Sequence, residues 1–168
     1  MARIPFSVLD LSPILEGGKP GPGVIRSVML DGLDDDAIDT ILARVVTPTT
    51  PGAITEIRVL GGAMARVPAD ATAFAHRQNR LMINVAAIYD PSTSERSEHA
   101  AWVRGLSAEL DDGDPGAYAG LLADEGEERV RAAYPGATWE RLAAVKATYD
   151  PDNVFRLNQN IPPAASTA

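Results

Sequence analysis

Imidazole, guanidinium, phenol and amide groups carry most of the chemistry this sequence has to offer, and they fall in a few places. Phe74-Ala75-His76-Arg77 sets an imidazole beside a guanidinium. Such a pair can bind an anion or serve as acid and base, and it can equally hydrogen-bond the loop that carries it. Tyr89 and Tyr118 sit in apolar runs that read as strands. A phenol projecting from a strand donates a hydrogen bond or acts as a base in a pocket; the alternative is a core aromatic with its hydroxyl satisfied. His76 and Tyr89 are thus candidate substrate-binding residues. His99 lies on an apolar helical stripe and reads as a packed or interfacial side chain. Asp34-Asp35-Asp36 with Asp39 could attract a cation, but carboxylates at this point also complement the start of a helix, as do Glu125, Glu127 and Glu128. Asn158, Gln159 and Asn160 are three adjacent amides, each with donors and an acceptor, in an extended strip of the kind that crosses to another domain or touches a ligand.

Other chemistries are excluded by composition. The 168 residues include no Cys, so thiolate catalysis, disulfides and Cys-ligated metals are absent. With two His in the chain, a multi-His metal site would need partner chains, and no metal site is expected. No GxGxxG, P-loop, GxSxG or HExxH pattern occurs. The net charge of −8, from 15 basic and 23 acidic residues, argues against nucleic acid as a partner, because phosphate binding needs a basic face. No 18-residue apolar run exists to span a bilayer. Pro5, Asp10 and Pro13 interrupt the apolar stretch a signal peptide would need, so the expected compartment is the cytoplasm. Arg outnumbers Lys 13 to 2, which reads as the coding bias of a GC-rich bacterial genome.

The elements that must position these groups follow from periodicity. Residues 16–23 (EGGKPGPG) form a Gly/Pro linker, which sets residues 1–23 apart as an extension. VIRSVML (24–30) reads as a strand. Ile38, Ile41, Leu42 and Val45 then recur at the spacing of one helical face, and TPTTPG stops that helix. ITEIRVL (54–60) alternates as a strand. Gly61-Gly62 turns the chain towards a short return strand over 63–67, and LMINVAAIY (81–89) is the most apolar strand and the central one. A long helix over 94–110 carries His99, Val103, Leu106 and Leu110 on one stripe with Trp102 beside it. AYAGLL (117–122) reads as a last strand. Helices over 125–134 and 138–149 follow, with Thr138 as N-cap and Leu142, Val145 and Tyr149 on a buried face. Residues 164–168 read as a frayed tail. The fold class is therefore α+β: an antiparallel sheet with helices on one face, of ferredoxin-like type, whose other face must carry solvent-tolerant side chains or be covered by a ligand or another protein surface, a second copy included.

The C-terminal run TWERLAAVKATYDPDNVFRLNQNIPP (138–163) closely resembles the ending of berberine-bridge-enzyme-like FAD-linked oxidases. Further matches run in the same order upstream: Glu56-Ile57-Arg58-Val59-Leu60-Gly61-Gly62-Ala63-Met64-Ala65-Arg66-Val67 through Phe74-Ala75-His76-Arg77, then HAAWVRGL and DEGEERVRAAY. The resemblance spans residues 24–163 and implies the substrate domain of that family, whose sheet roofs a flavin ring while the terminal strip returns to the flavin domain. It implies hydride transfer from a substrate C–H to FAD with O2 as oxidant, a small-molecule substrate, Tyr118 as hydrogen-bonder or base at the substrate face, and Asn158 and Asn160 near the flavin domain. The family's FAD-binding domain has no counterpart in residues 1–23, so FAD is expected only where a flavin-domain protein supplies it in trans. Many bacterial members show Tyr-x-Asn where this chain has Tyr118-Ala119-Gly120: the tyrosine is kept and the amide is lost. The alternatives are a stand-alone, non-redox binding or isomerising (cyclase-type) domain, or an inactive gene remnant. IPFSVLDLSPI (4–14) also resembles the opening strand of luciferase-like flavin monooxygenases, but eleven residues are too few for that barrel and imply chance or a fusion scar.

Overall fold

The computed structural model describes residues 14–15, 19–20, 23–50, 52–90, 92, 96–122, 125–157 and 159–165. The segment 4–13, Asn158 and residues 166–168 lie outside these. Two minimal strands, β1 (Ile14–Leu15) and β2 (Lys19–Pro20), pair antiparallel. The main sheet follows: β3 (Gly23–Leu30), β4 (Ala53–Val59) and β5 (Leu81–Ile88), in the order β3-β5-β4 and antiparallel throughout. LMINVAAI takes the centre because it is apolar on both faces, and its residues 82–85 are all buried. Leu81 pairs with Leu30 on one side and with Val59 on the other.

Helices α1 (Asp35–Val46) and α2 (Arg96–Glu109) cover one face of this sheet. Every second strand residue points to them: Val28, Leu30, Ile83, Val85 and Ala87 meet Ile41, Trp102, Val103, Leu106 and Leu110 in one core. α2 lies over β3 and β5, and α1 over β4. The acidic run opens α1 as an N-cap should: the Asp34 carboxylate accepts from the Ala37 N–H at 2.8 Å, satisfying a donor the helix leaves free. The α+β class, with helices on one face of an antiparallel sheet, is thus the one expected.

Several local elements differ from expectation. Residues 64–66 form a 3-10 turn, not a return strand, because the Arg77 guanidinium reaches back to the Met64 carbonyl (3.1 Å) and the Thr72 hydroxyl (2.6 Å) and closes the loop on itself. AYAGLL is not a strand either: Ala119–Leu121 is a 3-10 turn. Two of its N–H groups close a turn, Leu121 to Tyr118 O (2.9 Å) and Leu122 to Ala119 O (3.3 Å), and the Tyr118 N–H goes to a side chain rather than to a strand backbone. Two helices follow, α3 (Glu127–Ala133) and α4 (Ala137–Tyr149). Gly136, not Thr138, caps α4, and Thr138 is buried inside its first turn. Val145 (54%) and Tyr149 (83%) are exposed rather than packed; Thr138 and Ala143 are the buried positions.

The YDPDN stop has a clear structural purpose. The Asp150 carboxylate accepts from the backbone N–H of Val154 (2.8 Å) and Phe155 (3.0 Å) and pairs with Lys146. Asn153 takes the left-handed conformation that turns the chain, at φ 50°, where Asn is tolerated well. The chain then runs back along α4, and the Ala164 N–H donates to the Ala143 carbonyl at 3.0 Å.

Candidate functional site

The face of the sheet opposite α1 and α2 presents Ile25, Ser27 and Met29 of β3, Met82, Asn84 and Ala86 of β5, and Ile54, Glu56 and Arg58 of β4. Towards β3 this face is covered: Ser27, Met29, Met82 and Asn84 are all buried. Towards β4 it is open, with Ile54, Glu56 and Arg58 exposed. Tyr118 stands at the covered side. Its N–H donates to the Ser27 hydroxyl at 3.3 Å, which pins residues 117–122 across β3. Its ring meets the Phe74 ring edge-on, centroids 6.1 Å apart, and remains 37% exposed. The residue is therefore held at its backbone by Ser27 and at its ring by Phe74, and its side chain still reaches solvent.

Gly120 sits directly beneath that ring. A Cβ there would lie 3.0 Å from the Tyr118 Cε1, so any side chain at this position requires the ring to shift.

The loop 74–77 braces this tyrosine. His76 is buried, and its Nε2 donates to the Ala132 carbonyl at 3.0 Å. Burial pushes its pKa below the usual histidine value, against the opposing pull of that hydrogen bond and of nearby Asp114. Arg77 is engaged by Met64 and Thr72 and lies 5.6 Å from the Phe74 ring centroid. Both side chains of the His-Arg pair hold the loop and present Phe74 to Tyr118. Tyr89 is elsewhere. Its position continues the helix-facing register of β5, and its ring stacks on His99 of α2 at 4.5 Å, so the structure does not bring it to Tyr118. Asn160 is half-buried, and its Oδ1 has no partner among the described residues. Asn158 lies outside the described residues. Between the two, the Gln159 amide donates to the Leu122 carbonyl, which ties the terminal strip to the segment that carries Tyr118.

Two participants were not legible in the sequence. Tyr134, the C-cap of α3, has its phenol pKa raised by burial and then by the neighbouring Tyr118; no spacing rule places residue 134 beside residue 118. The second is Asn84, whose amide donates to Glu56 at 2.7 Å while its Oδ1 is buried without a partner. The bonds from Arg58 and Asn84 hold the Glu56 carboxyl below its usual pKa. An Asn in the middle of the most apolar strand is the signal that points to it, since a buried amide needs partners.

Comparison with known proteins places this geometry. Residues 117–162 match the family profile described as "Berberine and berberine like". The chain is 30% identical to the uncharacterized FAD-linked oxidoreductase YgaK of Bacillus subtilis, over 91% of this chain and 39% of that protein. It is 31% identical to the chitooligosaccharide oxidase of Gibberella zeae, over 66% of this chain and 24% of that protein. Among solved structures, berberine bridge enzyme from Eschscholzia californica superposes with a TM-score of 0.75 at 24% identity, over 87% of this chain and 34% of that one. The chain thus spans less than half the length of these relatives. Among the described residues no helix is long and apolar enough to cross a membrane. In sequence and in fold, the chain resembles part of the berberine-bridge-enzyme-like FAD-linked oxidoreductases.

Proposed function

We propose that this chain is the substrate-binding portion of an FAD-dependent oxidoreductase, with Tyr118 facing the substrate. The observation that carries this is the position of Tyr118: a residue pinned at its backbone by the Ser27 hydroxyl and at its ring by Phe74, with the side chain still partly exposed, within the segment that matches the family profile. FAD, where such an enzyme binds it, would supply the acceptor for a hydride from a substrate C–H, with O2 as the final oxidant.

The described residues do not fit FAD by themselves. A cleft of about 570 Å³ is lined by Asp34, Asp36, Glu109, Asp111 and Asp112, carboxylates that repel a diphosphate. The Tyr118 face is one wall, and a flavin needs enclosing surfaces. We therefore assign FAD binding to a flavin-binding part outside the described residues, either in the same polypeptide or in a partner. The role of this chain's own groups is to hold the substrate against that part, with the Tyr118 hydroxyl donating to or accepting from a substrate oxygen. Asn160, with an unpartnered carbonyl on the strip that returns to the Tyr118 segment, is assigned to the boundary with the flavin part.

Purification from the native host tests this. A yellow assembly with visible flavin absorbance is expected. A colourless protein with no flavoprotein partner, which gains no flavin when FAD is added, would overturn the proposal.

A further inference from the structure

Among the described residues, β4 pairs with β5 on one side and with no strand on the other. The flanking bonds of Leu60 N–H to Arg80 O (2.8 Å) and Ile88 N–H to Gly52 O (3.1 Å) fix which residues face β5. Even-numbered residues of β4 turn their backbone groups inward, and Ala53, Thr55, Ile57 and Val59 turn theirs to the open edge. Neither Pro nor Lys interrupts Ala53–Val59, and these are the usual devices that blunt an edge strand.

The surface beside this edge is apolar. Ile57 (44% exposed) and Val59 (82%) point to the helix side. Above them runs α1, whose Arg44 faces α2 through its ion pair with Glu109 and whose Ile41 faces the core. Helical spacing then puts Ile38 (40%), Leu42 (54%), Val45 (45%) and Val46 (77%) on the flank away from α2, over the β4 edge. These six side chains form one continuous exposed apolar strip at an unpaired strand, the pattern of an interaction surface.

Charge selects the occupant. Glu56 and Arg58 share the opposite face of β4 and are paired with each other at 3.0 Å. In an antiparallel pairing of β4 with itself, centred on Ile57, Ile57 lies opposite Ile57 of the second copy at a hydrogen-bonded position. Glu56 then falls opposite Arg58 of that copy at a non-hydrogen-bonded position, where side chains approach most closely. Shifting the centre by one residue sets Glu56 against Glu56 or Arg58 against Arg58, which is unfavourable. Among these registers, the one centred on Ile57 gives two opposite-charge contacts across a symmetric seam, which favours a second copy as the partner. We propose that two copies of this chain pair through β4 into a continuous six-stranded antiparallel sheet, with the α1 helices packed across the seam.

The full chain, examined by sedimentation equilibrium, is expected to show a concentration-dependent species of twice the 17.8 kDa chain mass. Arg58→Glu and Glu56→Arg each place two like-charge contacts across the seam, and each is expected to weaken association about tenfold. A mixture of the two variants restores both opposite-charge contacts and should associate as tightly as the unaltered chain. That rescue cannot come from a misfolded variant. A chain that is monomeric at all concentrations, or singly altered variants that associate as well as the unaltered chain, would overturn the proposal, as would a mixture that gives no recovery. The oligomeric state is read without flavin or substrate, so it stands or falls separately from the catalytic assignment.

Discussion

The two halves of this molecule are held together by different means. From Gly23 to Leu110, strand alternation and helical periodicity bury one apolar core, in which Ile83 and Leu106 have no exposed surface. From Ala117 onward, apolar burial shrinks to a small cluster around Ala117, Leu122 and Ala133. Order there comes from turns, caps and polar bonds across the chain. Arg129 donates to the carbonyls of Pro115 (2.9 Å) and Ser27 (3.1 Å). Glu125 pairs with Arg26 at 2.9 Å and with Arg129 at 3.1 Å. In exchange, Tyr149, Val154, Phe155 and Leu157 stay 66–83% exposed. The half that contains the family-profile match leaves these large apolar side chains exposed with only a small buried cluster beneath them. Such a surface is what a contact with the rest of an enzyme requires.

The largest effect that distinguishes the halves is expected in the core. Leu106→Ala removes a fully buried side chain and should cost about 2–5 kcal/mol in denaturant unfolding. Phe155→Ala, at 80% exposed, should change stability by less than about 0.5 kcal/mol. If the two variants unfold alike, the contrast between the halves is wrong.

A smaller effect concerns the bridge between them. The depressed pKa of His76 means that the unfolded chain binds a proton more readily than the folded one. Stability should therefore be full above about pH 6.5 and fall as the pH drops below it. His76→Gln, which cannot titrate, should flatten the dependence of Tm on pH between 7 and 5. An unchanged slope would show that the fold does not depress the His76 pKa. The smallest expected effect is that of Asp150→Ala, which removes the acceptor for two N–H groups and for Lys146 at the end of α4. The melting temperature should drop slightly, and hydrogen exchange at Val154 and Phe155 should speed up while the sheet amides stay protected. Uniform exchange changes would contradict the local role.

The first half was legible because its signals are local. His99, Val103, Leu106 and Leu110 recur on one face of α2, and all are buried. Where the answer depended on distant partners, periodicity misled. AYAGLL alternates well enough for a strand, but its Tyr118 N–H is taken by a serine 91 positions away and its other donors close a turn. The stripe Val145–Tyr149 has helical spacing, yet spacing cannot say whether the surface it meets is in the same chain. At the site, Tyr118 was reached through the family resemblance. Phe74 was visible only as part of a His-Arg motif, and Tyr134 had no signal at all. The Glu56–Asn84 pair was hidden because a strand's alternation shows its faces but not its neighbours.

Turnover by the flavin-containing assembly, measured as O2 consumption with wild-type chain and with Tyr118→Phe, tests the central assignment most directly. The account predicts an unchanged visible flavin spectrum and a rate lowered by about a hundredfold, since the phenol is lost and the wall that carries it is kept. An unchanged rate would show that Tyr118 only packs against Phe74 and that the substrate lies elsewhere.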